Sequence, residues 1–114
     1  MCIIAIKPKT KPIQDKKILQ QCFNSNKDGA GYMFVNDNRQ VEIKKGYMTF
    51  DEFYKALMED YETYNLKNKT VVMHFRIGTS GKNKQGCTHP FPITNDMDKL
   101  EETHVITNIG ICHN

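Results

Sequence analysis

Apolar and polar positions fall into blocks along the chain, and the period changes from block to block. Cys2 to Ile6 is a short β-branched apolar run stopped by Pro8, which predicts a buried strand almost at the N-terminus. Ile18, Leu19, Cys22 and Phe23 then recur at helical spacing, and Pro12 suits the first turn of that helix, where a missing N–H costs nothing. The polar cluster Asn24-Ser25-Asn26-Lys27-Asp28-Gly29 ends it. Gly31 to Val35 and Gln40 to Lys44 read as two strands of a hairpin closed by Asn36-Asp37-Asn38, with Gly46 terminating the second.

Thr49-Phe50-Asp51-Glu52 fits a capping box, and behind it Phe50, Phe53, Tyr54, Leu57 and Tyr61 form one apolar stripe, predicting a helix that ends near Tyr64. Thr70 to Phe75 returns to strand character and runs into Arg76-Ile77-Gly78-Thr79-Ser80-Gly81, a loop rich in glycine and hydroxyls. Residues 82–103 keep no period and are expected as a long ordered loop or a short edge segment; Val105 to Cys112 reads as a strand interrupted by Asn108 and Gly110. The order strand, helix, hairpin, helix, strand, strand predicts an α+β protein with a largely antiparallel sheet.

Composition narrows this picture without naming a function. The chain has 114 residues, 39% apolar and 25% charged, the profile of one soluble domain. No apolar run approaches the roughly 20 residues that cross a bilayer, and no basic region precedes the opening run, so a cytoplasmic location is expected. The formal charge of +3 is far from the dense basic stripe of a nucleic-acid binder. Two local clusters, Lys7, Lys9, Lys11, Lys16 and Lys17 and later Asp51, Glu52, Glu59, Asp60 and Glu62, are expected as solvated faces. The cysteines at 2, 22, 87 and 112 form no CxxC pair, which argues against a disulfide framework.

Three places carry candidate chemistry. Removal of the initiator methionine would leave Cys2 with a free α-amine, a base able to take the proton of its own thiol. Arg76 follows a strand and presents a fork suited to a carboxylate. Asn114, after His113, offers an amide that could donate to a developing oxyanion, and Thr88-His89-Pro90-Phe91 could form a rigid wall beside them. Each has a bland alternative: a small buried strand residue, a surface ion pair, an ordinary terminal asparagine.

In their order along the chain, Met1-Cys2, Asp28-Gly29-Ala30-Gly31, His74-x-Arg76-x-x-Thr79-x-Gly81, His89-Pro90-Phe91 and His113-Asn114 resemble the class II glutamine amidotransferases, a branch of the N-terminal nucleophile hydrolases. The resemblance implies that Cys2, once Met1 is lost, attacks the side-chain amide of glutamine, forms a thioester, releases ammonia and is freed by water. Arg76 would hold the substrate α-carboxylate, Thr79 and the backbone around Gly81 would help seat it, and Asn114 would match the oxyanion-hole asparagine. Ile77 and Ser80 depart from the residues the family often has there. The implied fold is a layered sandwich of antiparallel sheets with flanking helices. That fold normally takes about twice this length, within the range of mid-sized domains, so a single domain over 1–114 lacking its C-terminal portion is expected.

The expected partners are glutamine as substrate, a synthase or regulatory protein that receives the ammonia, and a second copy of the chain, with no nucleic acid, membrane, metal or cofactor. The main alternative is a catalytically silent member or fragment that acts as a protein-binding regulator. A zinc site built from Cys22, Cys87, His89, Cys112 and His113 is a weaker one, because only Cys87-x-His89 and Cys112-His113 are locally close.

Overall fold

A computed structural model describes residues 1–78 and 84–113. Its strands are β1 (Ile3–Lys7), β2 (Ala30–Val35), β3 (Val41–Tyr47), β4 (Val71–Phe75), β5 (Phe91–Pro92), β6 (His104–Thr107) and β7 (Gly110–Ile111). Its helices are α1 (Lys16–Ser25), α2 (Phe50–Thr63) and α3 (Met97–Glu101), with single 3-10 turns at Leu66–Asn68 and Gln85–Cys87. Five strands form one antiparallel sheet in the order β1-β4-β2-β3-β6, and β5 pairs with β7 in a second, two-stranded sheet. This is an α+β architecture, as the alternation of periods predicts.

The core lies on one face of the large sheet. Leu19 and Phe23 of α1 and Phe50, Phe53 and Leu57 of α2 bury against Tyr32, Phe34, Val71, Met73 and Phe75, the residues that alternate toward the helices on β2 and β4. α2 starts where the capping box puts it: the Thr49 hydroxyl accepts from the Glu52 amide at 3.2 Å. In the hairpin, the Asn36 side-chain oxygen accepts from the amides of Asn38 and Gln40 at 2.9 and 3.0 Å, which closes the turn.

Several expectations change. α1 begins at Lys16 behind Asp15, so Pro12 stands before the helix and not in its first turn. The intervening segment packs Ile13 on the core and lets the Gln14 side chain donate to the Ile6 carbonyl at 3.0 Å. Gly46 does not terminate β3. It forms a bulge at φ 87°, passed over as the register moves from Gly31 opposite Lys45 to Ala30 opposite Tyr47. The bulge reverses the parity of the strand, so the Tyr47 ring joins Tyr32 and Phe53 on the helix side while Lys45 reaches Phe91 and Leu100 on the other. The described part of 82–103 carries β5 and α3, and the expected strand over Val105 to Cys112 divides into β6 and β7 in different sheets. Two charges assigned to wet faces are buried: Lys7, whose ammonium donates to the carbonyls of Pro8, Lys67 and Lys69, and Asp60, which binds Tyr32 and Lys44.

The second face of the large sheet is only partly covered. Gly110 crosses it, where a Cβ would crowd the side chains of Met33, Val41 and Ile43, and brings β7 over the sheet. Beyond that cover, Ile6 and Val35 remain 55% and 48% exposed. No helix among the described residues is long and apolar enough to cross a membrane.

Candidate functional site

The site forms where β1 begins and β4 ends. Ile3 pairs with Phe75 in the antiparallel ladder, so Cys2 and Arg76 are the next residues outward on their two strands. The Cys2 Sγ lies 3.9 Å from the Ile77 carbonyl oxygen, within reach of a weak S–H donation. Met1 stands in solvent, 86% exposed.

The turn between α1 and β2 holds both strand ends. Asn26, 4% exposed, donates from Nδ2 to the Met1 carbonyl at 2.9 Å and to the Phe75 carbonyl at 3.1 Å. Two residues on, the Asp28 amide donates to the Arg76 carbonyl at 3.0 Å and the Arg76 amide to the Gly29 carbonyl at 2.8 Å. The Asp28 carboxylate accepts from the Gly78 amide at 2.6 Å. Gly29 sits at φ 117°, a conformation glycine tolerates and side chains rarely adopt, and this lets the turn fold back onto β4.

Arg76, 7% exposed, directly follows the strand that carries His74. His74 is fully buried, with Nε2 3.1 Å from the His113 carbonyl; a carbonyl only accepts, so Nε2 bears the proton and Nδ1 a lone pair. The His89 ring packs between those of His74 and His113, tilted against His74 with ring centres 4.4 Å apart and edge-to-face with His113 at 4.5 Å, with Phe91 also edge-on at 4.6 Å. Neither ring nitrogen of His89, nor Nδ1 of His74, has a hydrogen-bond partner among the described residues. Burial, then the neighbouring histidines and the charges of Lys45 and Arg76, hold His89 at a pKa of about 3, and burial leads the lowering at His74. Both rings are therefore neutral at physiological pH.

Lys45 closes this layer. Its ammonium sits 3.6 Å from the Phe91 ring centre, donates to the Leu100 carbonyl at 2.7 Å, and is lowered to about 8 by burial. Next to the histidines is a cavity of about 440 Å³ lined by His89, Phe91, Ile93, Leu100, Ile111 and His113.

Of the residues singled out in the sequence, Cys2 and Arg76 come together, and His89 reaches the same region through His74. Thr79, Gly81 and Asn114 lie outside the described residues. Asn26 is missed by the sequence reading, and His74 enters it only as the first position of the His74-x-Arg76 block, with no role of its own. Asn26 reads as part of a helix-stopping cluster, and its acceptors lie 25 and 49 residues away. Among the described residues no group of three His, Cys, Asp or Glu side chains is placed to hold a metal ion. Neither a family model, nor a curated protein, nor a solved structure matches the chain.

Proposed function

We propose that the chain is a glutamine amidohydrolase of the N-terminal nucleophile type, with Cys2 as nucleophile after removal of Met1. The observation that supports it best is the placement of Cys2 and Arg76 as outward neighbours on paired strands, with the sulfur against the backbone of Ile77. In this reading the Cys2 α-amine takes the thiol proton and the thiolate attacks the side-chain amide carbon of glutamine. The resulting α-ammonium gives that proton to the leaving nitrogen as the tetrahedral intermediate collapses, ammonia departs, and water cleaves the thioester to give glutamate and restore the thiol. Arg76 receives the substrate α-carboxylate as a bidentate pair, Thr79 and Gly81 seat it, and Asn114 donates to the oxyanion.

The layered arrangement is compatible with an N-terminal nucleophile hydrolase, with helices on one face of an antiparallel sheet and a small sheet across part of the other. Ammonia released here would pass to an acceptor on a partner protein. A second reading, a silent regulator that docks on a partner, draws on the exposed Ile6 and Val35 of the sheet's open face.

Glutamate and ammonia production from glutamine by protein whose mass shows Met1 loss is the direct test. Cys2→Ala should abolish it. No turnover by the trimmed wild-type protein removes the amidohydrolase reading and leaves the regulator.

A further inference from the structure

We infer that His74 is a positioning residue that holds the peptide leading into Asn114, which rests on the reading of Cys2 as nucleophile and Asn114 as oxyanion donor. The parity that buries Met73 and Phe75 against the helices puts His74 on the second face of the sheet, the face that the segment through Gly110 crosses. The residue is fully buried there. Gly31 stands opposite His74 on β2, and a Cβ on it would collide with the His89 carbonyl. The glycine therefore lets the His89 segment settle on the sheet, with its ring packed on His74 at 4.4 Å between centres. Among the described residues the His74 ring makes one hydrogen bond: Nε2–H donates to the His113 carbonyl at 3.1 Å, 39 residues away in sequence.

The β5–β7 ladder ends with Ile111 opposite Phe91, so His113 lies past the last strand pair and takes an anchor from β4 instead. A carbonyl and the N–H that follows it share one rigid plane, so holding the His113 oxygen sets the plane of the peptide into Asn114. When the thiolate attacks the substrate amide, charge builds on the carbonyl oxygen, and a donor already aimed at that oxygen stabilises it without first having to turn. His74 moves no proton in this step and touches no substrate. It keeps the peptide that carries the donor from turning. Arg76 directly follows the same strand, so one rigid element sets both the group that takes the α-carboxylate and the plane that leads to the group taking the oxyanion. A substrate held at both ends requires that spacing to be fixed.

The test compares wild type, His74→Gln and His74→Asn after treatment with a methionine aminopeptidase, with Met1 loss verified by intact mass and folding by circular dichroism. A glutamine amide reaches about as far as the histidine Nε2 and keeps the donor, whereas an asparagine amide stops near the Nδ1 position and leaves the His113 carbonyl unbonded. His74→Asn should lower kcat for glutamine about tenfold or more with KM within about twofold, and His74→Gln should recover most of the loss. Iodoacetamide labelling of Cys2, a displacement that builds no oxyanion, should keep its wild-type rate in both variants, with Cys87 as reference in the same sample. Wild-type kcat in folded His74→Asn overturns the inference. So does an equal loss of turnover and labelling, the sign of a site loosened as a whole, and so does a His74→Gln variant no better than His74→Asn. Should His74→Asn not fold, nuclear magnetic resonance of the wild type decides. A proton on His74 Nε2 with coupling through the hydrogen bond to the His113 carbonyl carbon supports the inference, and a proton on Nδ1 or no coupling overturns it. A trimmed wild type inert to glutamine overturns the amidohydrolase reading and this role with it, while wild-type turnover that His74→Asn leaves intact overturns the role alone.

Discussion

The Tyr32 hydroxyl donates to the Asp60 carboxylate at 2.5 Å, joining β2 to α2 inside the core, and Lys44 completes the group with its ammonium 2.8 and 2.9 Å from the two carboxylate oxygens. Burial and the adjacent carboxylate raise the Tyr32 pKa, so its hydroxyl stays a donor. Tyr32→Phe removes one hydrogen bond and should cost about 1–2 kcal/mol. Asp60→Ala strands both the hydroxyl and the Lys44 charge and should cost about 3 kcal/mol or more. Urea unfolding midpoints of the two variants give the ranking, and a Tyr32→Phe penalty equal to that of Asp60→Ala would contradict this division of roles.

Lys7 is a buried cation that serves as a triple donor. Its ammonium bonds the carbonyls of Pro8, Lys67 and Lys69 at 2.8 to 3.0 Å, tying the end of β1 to the turn before β4. Burial lowers its pKa. Lys7→Met keeps the aliphatic stem and leaves three carbonyls without this donor, which should cost about 2 kcal/mol or more by thermal or urea denaturation. A variant as stable as wild type would mean that water replaces the ammonium freely.

The histidine layer should make stability depend on pH. His89 and His74 titrate lower in the folded chain than in the unfolded one, so below about pH 6.5 the unfolded chain binds protons the folded one refuses. Stability is then fully present above that value and falls as pH drops, for His89 down to about 3. His89→Phe keeps a ring in the stack and removes one of these protons. Its urea midpoint should fall less steeply between pH 7 and 4.5 than that of wild type.

The cysteines should differ in reactivity. Burial pushes the Cys112 thiol up to about 12 and raises that of Cys22. At pH 8 the thiolate fraction at Cys112 is on the order of 10⁻⁴. In a labelling time course read by peptide mass spectrometry, Cys112 should be modified far more slowly than Cys87, and denaturant should remove the difference.

Gly31 is fixed by space. A Cβ there would run into the His89 carbonyl and meet the Lys45 side chain at 2.6 Å, on the face where β2 meets the histidine layer. Gly31→Ala should destabilise by about 1–3 kcal/mol through overpacking. It should also flatten the pH slope just described, because His89 must move; an unaltered slope would show that β3 yields instead.

What could be seen in the sequence is what local chemistry decides. The Thr49 cap, the stripe from Phe50 to Leu57 and the strand from Val71 to Phe75 each follow from residues within a turn or two of one another. The reversal of parity at Gly46 was invisible because the bulge is anchored at a distance, its amide donating to the Thr88 hydroxyl at 2.8 Å. Lys7 and Asp60 misled for a related reason: a charge in a list of charges reads as wet, and only the folded chain supplies the distant groups that let it be buried. At the site, the order of motifs points to Cys2 and Arg76 and includes His74 as the first position of its block, while Asn26 reads only as part of the cluster that ends a helix.

The topology also sets a timetable for synthesis. Among the described residues β1 pairs with no strand but β4, so a growing chain has no strand to pair its first one with until residues 71–75 have left the ribosome. Through that interval the Met1–Cys2 bond is open to a processing enzyme, and Asn26 has not yet closed on it. On the proposed reading, excision belongs to the nascent chain, and a protein that folds before it is trimmed should stay untrimmed for longer.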